Sequence, residues 1–142
     1  GGRRNGRRTW HCPVRKSKKL HRIVPAQAGV SDKVTPTDFV AAQNGSGSGS
    51  TIEYDPYNKT LENGQPGDPA QVLVHELSHA EDADTGTWDA QQGPEGVPWM
   101  EIKATRMENL AATYLRNAIR TAYKGMAVFA PTFPPTNPWP QP

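Results

Sequence analysis

The sequence has few cysteines, few hydrophobic residues and no long apolar run, and each shortage excludes a class of protein. Cys12 is the single cysteine among 142 residues, so an internal disulfide and a small disulfide-stapled fold are excluded. Hydrophobic residues make up 35% of the chain, and no apolar run approaches the ~20 residues that a membrane-spanning helix needs. The length suits one domain. A bound metal ion would be its natural stabilising element.

Acidic residues are absent from residues 1–22, which contain nine Lys or Arg. The rest of the chain has seven basic and fourteen acidic residues, a net charge of −7. We expect residues 1–22 to be a basic, disordered segment, because they contain too few apolar residues to fold alone. Residues 23–128 are then the folded domain, and residues 129–142 form a Pro-rich tail. We see no signal peptide, so any export signal lies outside this chain.

Hydrophobic periodicity predicts an α+β domain with a short antiparallel sheet and two main helices. Thr51–Tyr54 alternates between two faces and predicts a strand, which Asp55 and Pro56 end. The first long helix is predicted over 69–85, with Asp68 as its N-cap and Gly86 after its last residue. The second begins near Trp99 and ends either near Asn117 or at Gly125. Residues 38–43 fit a short helix or a strand equally well.

The first long helix contains His75-Glu76-Leu77-Ser78-His79, an H-E-x-x-H sequence. Histidines at i and i+4 lie one turn apart on the same helix face and can bind one metal ion. Glu76 follows the first histidine and can act as the general base for a water that the metal activates. The motif therefore predicts a Zn²⁺-dependent hydrolase of amide bonds, a zincin.

A catalytic zinc usually takes a third protein ligand, and three acidic residues are candidates. Glu101 opens the second helix, and thermolysin-like enzymes take a Glu from a following helix, so we favour it. Asp89 and Glu108 are the alternatives. Glu108 lies ~20° from Glu101 around an ideal helix and could instead bond a ligand histidine. The metzincin pattern is excluded, because it needs Gly and His where this chain has Asp82 and Thr85.

Five pieces of sequence resemble a known family. They are the Gly/Ser run before Thr51–Pro56, His75–Ala80, Thr85-Gly86-Thr87, Glu101-Ile102-Lys103-Ala104 with Glu108-Asn109, and Ile119–Tyr123. Together they are similar to the effector-type HExxH zinc metallopeptidases, the NleD-like type III effectors and the toxin domains of Rhs-type proteins. The resemblance covers roughly residues 44–125. The chain departs from the family where Ala112 replaces an Arg that commonly follows the E-N pair.

The resemblance implies a bacterial effector or toxin, secreted or injected, that cleaves a protein inside a target cell. MAP kinases are the targets of the type III members. We expect the substrate to bind in extended form along Thr51–Tyr54, and the enzyme to be a monomer without a nucleic-acid partner or a membrane span. Tyr123 and Arg120 become candidates for stabilising an oxyanion if the second helix ends near Asn117.

A binding module without enzymatic activity is the alternative to a peptidase. In it the zinc would be structural, and the basic residues 1–22 would dock on nucleic acid or another anionic surface. Glu76 separates the two hypotheses, because a purely structural zinc site has no use for a general base beside it.

Overall fold

The computed structural model describes residues 17–57, 67–117, 119–120, 122–123 and 126–127. The fold is α+β, as predicted, with a small sheet and two long helices. The elements in chain order are β1 His21–Pro25, β2 Lys33–Pro36, α1 Phe39–Gln43, β3 Ser50–Tyr54, α2 Pro69–Thr85, α3 Trp99–Leu115, β4 Ala122–Tyr123 and β5 Met126–Ala127. A 3₁₀ turn at Pro94–Gly96 precedes α3. None of the helices in the described part is long and apolar enough to cross a membrane.

The three-stranded sheet has the order β1-β3-β2, which corrects two expectations. It is mixed rather than antiparallel throughout, because β1 runs parallel to β3 while β2 runs antiparallel to it. The predicted strand Thr51–Tyr54 is β3, and it is the central strand. Our expectation that a substrate lies along Thr51–Tyr54 is therefore wrong, since both of its edges are already hydrogen-bonded. Within the described residues, β2 is the outer strand beside the site described below.

Helix α2 has the bounds that its capping residues predict. The Asp68 side chain accepts a hydrogen bond from the backbone N–H of Ala70, and Gly86 ends the helix with a left-handed φ of 75°. The Gly/Ser turn before β3 packs against this end of α2, where the Ser48 N–H donates to the Ala83 carbonyl at 2.7 Å. A Cβ on Gly47 would lie 2.0 Å from the Asp84 carbonyl oxygen, so this turn requires glycine.

Helix α3 ends at Leu115, and Arg116 follows it in the left-handed conformation with a φ of 56°. This is the earlier of the two predicted ends. Asn117 fixes the position of the break, because its side-chain amide donates to Asp68 at 2.9 Å and to Gln71 at 2.8 Å, both at the start of α2. The chain can therefore return toward the first turn of α3.

The predicted boundary at residue 22 falls inside a strand and needs correction. β1 begins at His21, whose side chain contacts Ser50 at 2.8 Å and Asp84 at 3.3 Å. Ser17 also donates a hydrogen bond to Asp84. Residues 17–22 thus belong to the folded body. Residues 1–16, most of the predicted loop 57–67, and the Pro-rich tail 129–142 lie outside the described residues.

Candidate metal centre and active site

Helix α2 places three residues of the H-E-x-x-H sequence in the interior. His75, Glu76 and His79 are 7%, 6% and 4% exposed. The Nε2 atoms of the two histidines lie 3.2 Å apart, as the i, i+4 spacing predicts for side chains on one helix face. Leu77, between them, is 43% exposed and lies on the opposite side. This part of α2 thus has one face of polar side chains in the interior and another face toward the solvent.

Helix α3 brings Glu101 to the two histidines from its first turn. Glu101 Oε2 lies 3.1 Å from His75 Nε2 and 3.4 Å from His79 Nε2. Ligand atoms ~2.1 Å from a tetrahedral zinc lie ~3.4 Å from one another, so these separations fit one ion among the three atoms. Two imidazoles and one carboxylate are also the donor set of a catalytic zinc site. His75, His79 and Glu101 could therefore hold a metal ion.

Glu108 contacts the other ring nitrogen of His75 from the next turns of α3. Glu108 is 1% exposed, and its Oε2 lies 3.2 Å from His75 Nδ1. Arg120 donates to the same oxygen from Nη1 at 3.0 Å. A carboxylate in this position fixes the tautomer and the ring orientation of the histidine, leaving Nε2 toward Glu101.

Asn109 and Tyr123 hold the segment after α3 against the site. The Asn109 side chain accepts from the Arg120 backbone N–H at 2.6 Å and donates to the Arg120 carbonyl at 2.7 Å. The Tyr123 ring is parallel to the His75 ring, with centroids 6.1 Å apart. Arg120 lies over the Tyr123 ring, with its Cζ 5.1 Å from the centroid of that ring. The break in helix α3 therefore returns two side chains to the site.

Burial and close contacts shift the pKa values of the central residues in different directions. Burial raises the pKa of Glu76 to about 7, against the opposing effect of His75 and His79. Burial alone would lower the pKa of His75, but hydrogen bonds with Glu101 and Glu108 outweigh it and raise the pKa to about 9. Burial likewise opposes ionisation of Glu101, yet its contacts with His75 and His79 hold its pKa below the usual range. Glu101 is therefore an anion, while Glu76 lies close to its titration point at neutral pH.

A cavity of about 730 Å³ opens onto these side chains. Its lining includes the predicted metal-binding group with Glu76, Glu108, Arg120 and Tyr123. The loop before β2 and the start of that strand, residues 29–34, line it as well. Glu76 Oε2 is buried and has no hydrogen-bond partner among the described residues. The volume is in the range of small-ligand and peptide side-chain sites.

Residues 4–115 match the sequence model of Peptidase M91, a family described as effector protein. This match covers most of the chain. The chain belongs to this peptidase family. No curated protein and no solved structure matches it. An effector peptidase acts on a protein substrate, which makes the cavity beside Glu76 the part of the fold to consider for substrate binding.

Of the three predicted third ligands, the structure of this M91 peptidase brings only Glu101 to both histidine Nε2 atoms. Glu108 faces the other nitrogen of His75. Asp89 lies outside the group and does not line the cavity. Its Oδ1 accepts from the Gln91 N–H at 2.9 Å instead. Arg120 and Tyr123 do reach the site, because α3 ends before them.

The sequence did not single out several residues that line the cavity. Trp88 packs on the His79 ring with centroids 5.6 Å apart, and Asp32 also lines the cavity. Trp88 lies nine residues after His79, shortly after the end of α2. A contact between Trp88 and the site could have been suspected from this short separation. No feature of the sequence places Asp32 near the site, because it reaches the site through the pairing of β2 with β3.

A Ser–His–Asp arrangement elsewhere in the fold is structural. His21 contacts Ser50 on one ring nitrogen and Asp84 on the other. Ser50 is 2% exposed, and none of the three lines the cavity. These contacts join β1, β3 and the end of α2, and give a substrate no access to the serine.

Proposed function

We propose that this protein is a zinc endopeptidase of the effector type, which cleaves a protein of a target cell after secretion or injection. The observation that supports this most directly is the convergence of His75, His79 and Glu101 beside an acid, Glu76, that lines a cavity and has one buried oxygen without a partner among the described residues. Zinc in that position would polarise the scissile carbonyl and make water a stronger acid. A structural zinc site would have four protein ligands and no open cavity.

Glu76 is the proposed proton carrier. Burial raises the pKa of Glu76, and a base with a pKa closer to neutral pH takes up and releases a proton more readily. It takes a proton from the attacking water, whose oxygen forms a bond with the carbonyl carbon. Glu76 then gives that proton to the amide nitrogen as the C–N bond breaks, so the products are a carboxyl group and an amine. The carboxylate is regenerated after each turnover.

Tyr123 is the proposed donor to the oxygen that gains negative charge. It is 8% exposed, lines the cavity and is held parallel to the His75 ring. Glu108 and Arg120 position His75 without themselves reacting. The substrate lies in extended form against the outer edge of β2, because that strand borders the cavity and β3 is fully paired.

The test replaces Glu76 by Gln, which keeps the shape and removes the base. We expect the Glu76→Gln protein to keep its zinc content and its unfolding transition. Its rate of peptide cleavage with zinc bound should fall about 10²–10⁴-fold. Glu81→Gln is the matched control, because Glu81 is on the same helix but exposed and outside the cavity. It should cleave like the unmodified protein.

The binding-module alternative predicts the opposite pattern. In that case the zinc-loaded protein cleaves nothing in a digest of a whole proteome, and Glu76→Gln changes nothing measurable. Residues 1–16, which would carry most of the docking charge, lie outside the described part of the chain. The membership of a peptidase family favours the enzyme.

A further inference from the structure

The cavity continues beyond the proposed metal ligands to a second group of carboxylates. Asp32 and Asp55 line this end, together with the loop before β2. Asp32 Oδ1 accepts from the Asp55 backbone N–H at 2.7 Å, and Asp55 Oδ1 accepts from the Tyr57 backbone N–H at 2.8 Å. The other oxygen of each carboxylate has no hydrogen-bond partner in the part of the chain that the structure describes.

The basic side chains that line the cavity are already paired with other acids. Lys33 Nζ lies 3.0 Å from Glu53, and Arg120 Nη1 lies 3.0 Å from Glu108. Neither compensates the two aspartates, which make no ion pair within the described residues. Zinc would offset the charge at Glu101, which is one of its proposed ligands. The Asp32 end therefore keeps a negative charge.

Glu76 gives an independent sign that a ligand belongs in this cavity. Glu76 is 6% exposed and lines the cavity, and its buried Oε2 has no hydrogen-bond partner among the described residues. After burial and the two histidines, the charges of Glu101 and Asp32 also raise the pKa of Glu76, so Asp32 lies near the reacting end. Burial raises the pKa of Asp32 as well, and a cation beside it would relieve that poorly solvated charge.

We propose that Asp32, supported by Asp55, binds a Lys or Arg side chain of the substrate next to the scissile bond, so that this peptidase prefers a basic residue there. This inference rests on the proposed function. A long cationic side chain fits, because it spans from the β2 edge into the cavity and provides donors for both free carboxylate oxygens. A second metal ion fits less well, since the described residues provide one metal-binding group of three, at the histidines.

The experiment compares two peptides that differ only in a Lys or a norleucine beside the cleaved bond. The parent peptide is chosen by digesting a mixed-sequence peptide library with zinc-loaded protein and reading the cut sites by mass spectrometry. The kcat/KM ratio of the two peptides is then measured for the unmodified protein, for Asp32→Asn and for the control Glu95→Gln. Asparagine keeps the oxygen that accepts from Asp55, so the loop keeps its hydrogen bond. Glu95 is exposed and outside the cavity.

We expect the Lys peptide to be favoured about tenfold or more by the unmodified protein and by Glu95→Gln, as a hydrogen-bonded charge pair allows. In Asp32→Asn the ratio should approach one, and Asp32→Lys should favour a peptide with Glu at that position. Two results would refute the subsite while the proposed function stands. One is cleavage by the unmodified protein with no preference for the Lys peptide, and the other is a preference for the Lys peptide that Asp32→Asn retains.

A binding measurement separates failure of the subsite from failure of the proposed function. Zinc-loaded Glu76→Gln protein is titrated with the same labelled Lys and norleucine peptides, and fluorescence anisotropy gives the two Kd values. Tighter binding of the Lys peptide, lost on adding Asp32→Asn, supports the subsite even if the unmodified protein cleaves nothing. In that case only the proposed catalysis fails. Equal Kd values for the two peptides would refute the subsite.

Discussion

Among single residues, Glu108 links the proposed metal ligand His75 to the segment that follows α3. It is almost fully buried, and one of its oxygens is within hydrogen-bond distance of both His75 Nδ1 and Arg120 Nη1. A buried carboxylate in this place makes the histidine a stronger ligand and fixes the direction of Nε2. Removal of its charge should therefore lower the affinity for the metal more than it lowers the rate of the metal-loaded protein.

Glu108→Gln is predicted to lower zinc affinity about 10- to 100-fold, because the amide orients His75 less well and adds no negative charge. Competition with a fluorescent chelator measures the Kd, and a far-UV circular dichroism melt confirms that the variant is folded. Glu81→Gln again provides the control. If a folded Glu108→Gln protein binds zinc with unchanged affinity, the contact with His75 has no role in the site.

Tyr123→Phe separates the ring from the hydroxyl group. The ring parallel to His75 is kept, so zinc content should not change. If the hydroxyl donates to the developing oxyanion, kcat should fall about 100-fold while the Kd for zinc stays the same. If Tyr123→Phe binds zinc more weakly but has an unchanged kcat at saturating zinc, Tyr123 only packs on the histidine.

At the scale of elements, two breaks in regular structure bring the site together. The left-handed Arg116 ends α3 early enough for Arg120 and Tyr123 to return to Glu108 and His75. The Gly/Ser turn before β3 packs on the end of α2, which holds the sheet beside the helix that carries both histidines. Both breaks use positive φ, one at a glycine-rich turn and one at an arginine.

A pair of alanine substitutions tests the packing of the Gly/Ser turn. Gly45 and Gly47 both have positive φ, so alanine costs about 1 kcal/mol at either position. Only Gly47 also meets backbone, at the Asp84 carbonyl, while a Cβ on Gly45 meets nothing within 4 Å. Gly47→Ala should therefore lower the free energy of unfolding by about 1–3 kcal/mol more than Gly45→Ala. Urea unfolding measures both, and equal losses would contradict a tight contact there.

At the scale of the whole molecule, the local parts of the fold could be predicted from the sequence and the long-range parts could not. The caps at Asp68 and Gly86 gave the bounds of α2, and the strand at Thr51–Tyr54 was found from alternation alone. Strand order depends on pairing between distant residues, so β3 was predicted to be an edge strand although it is the central one. Asp32 was missed for the same reason, because a lone aspartate in a loop shows no pattern.

The proposed metal ligands come from both long helices, so bound zinc should stabilise the entire fold. His75 and His79 lie on α2 and Glu101 lies on α3, and an unfolded chain does not hold them together. At free zinc 1,000 times the Kd, the free energy of unfolding should rise by about 4 kcal/mol. Urea unfolding with zinc and with chelator measures this difference. Glu101→Ala should remove most of the increment, and an increment that survives would point to a different ligand.

Zinc stoichiometry tests the central claim most directly, because every proposed role depends on one ion between His75, His79 and Glu101. Purified protein is stripped with chelator, reloaded with zinc, desalted and assayed for metal by mass spectrometry. We predict one zinc per chain in the unmodified protein and in Asp89→Ala, and close to none in Glu101→Ala. No uptake by the unmodified protein, or full retention by Glu101→Ala, would contradict the account.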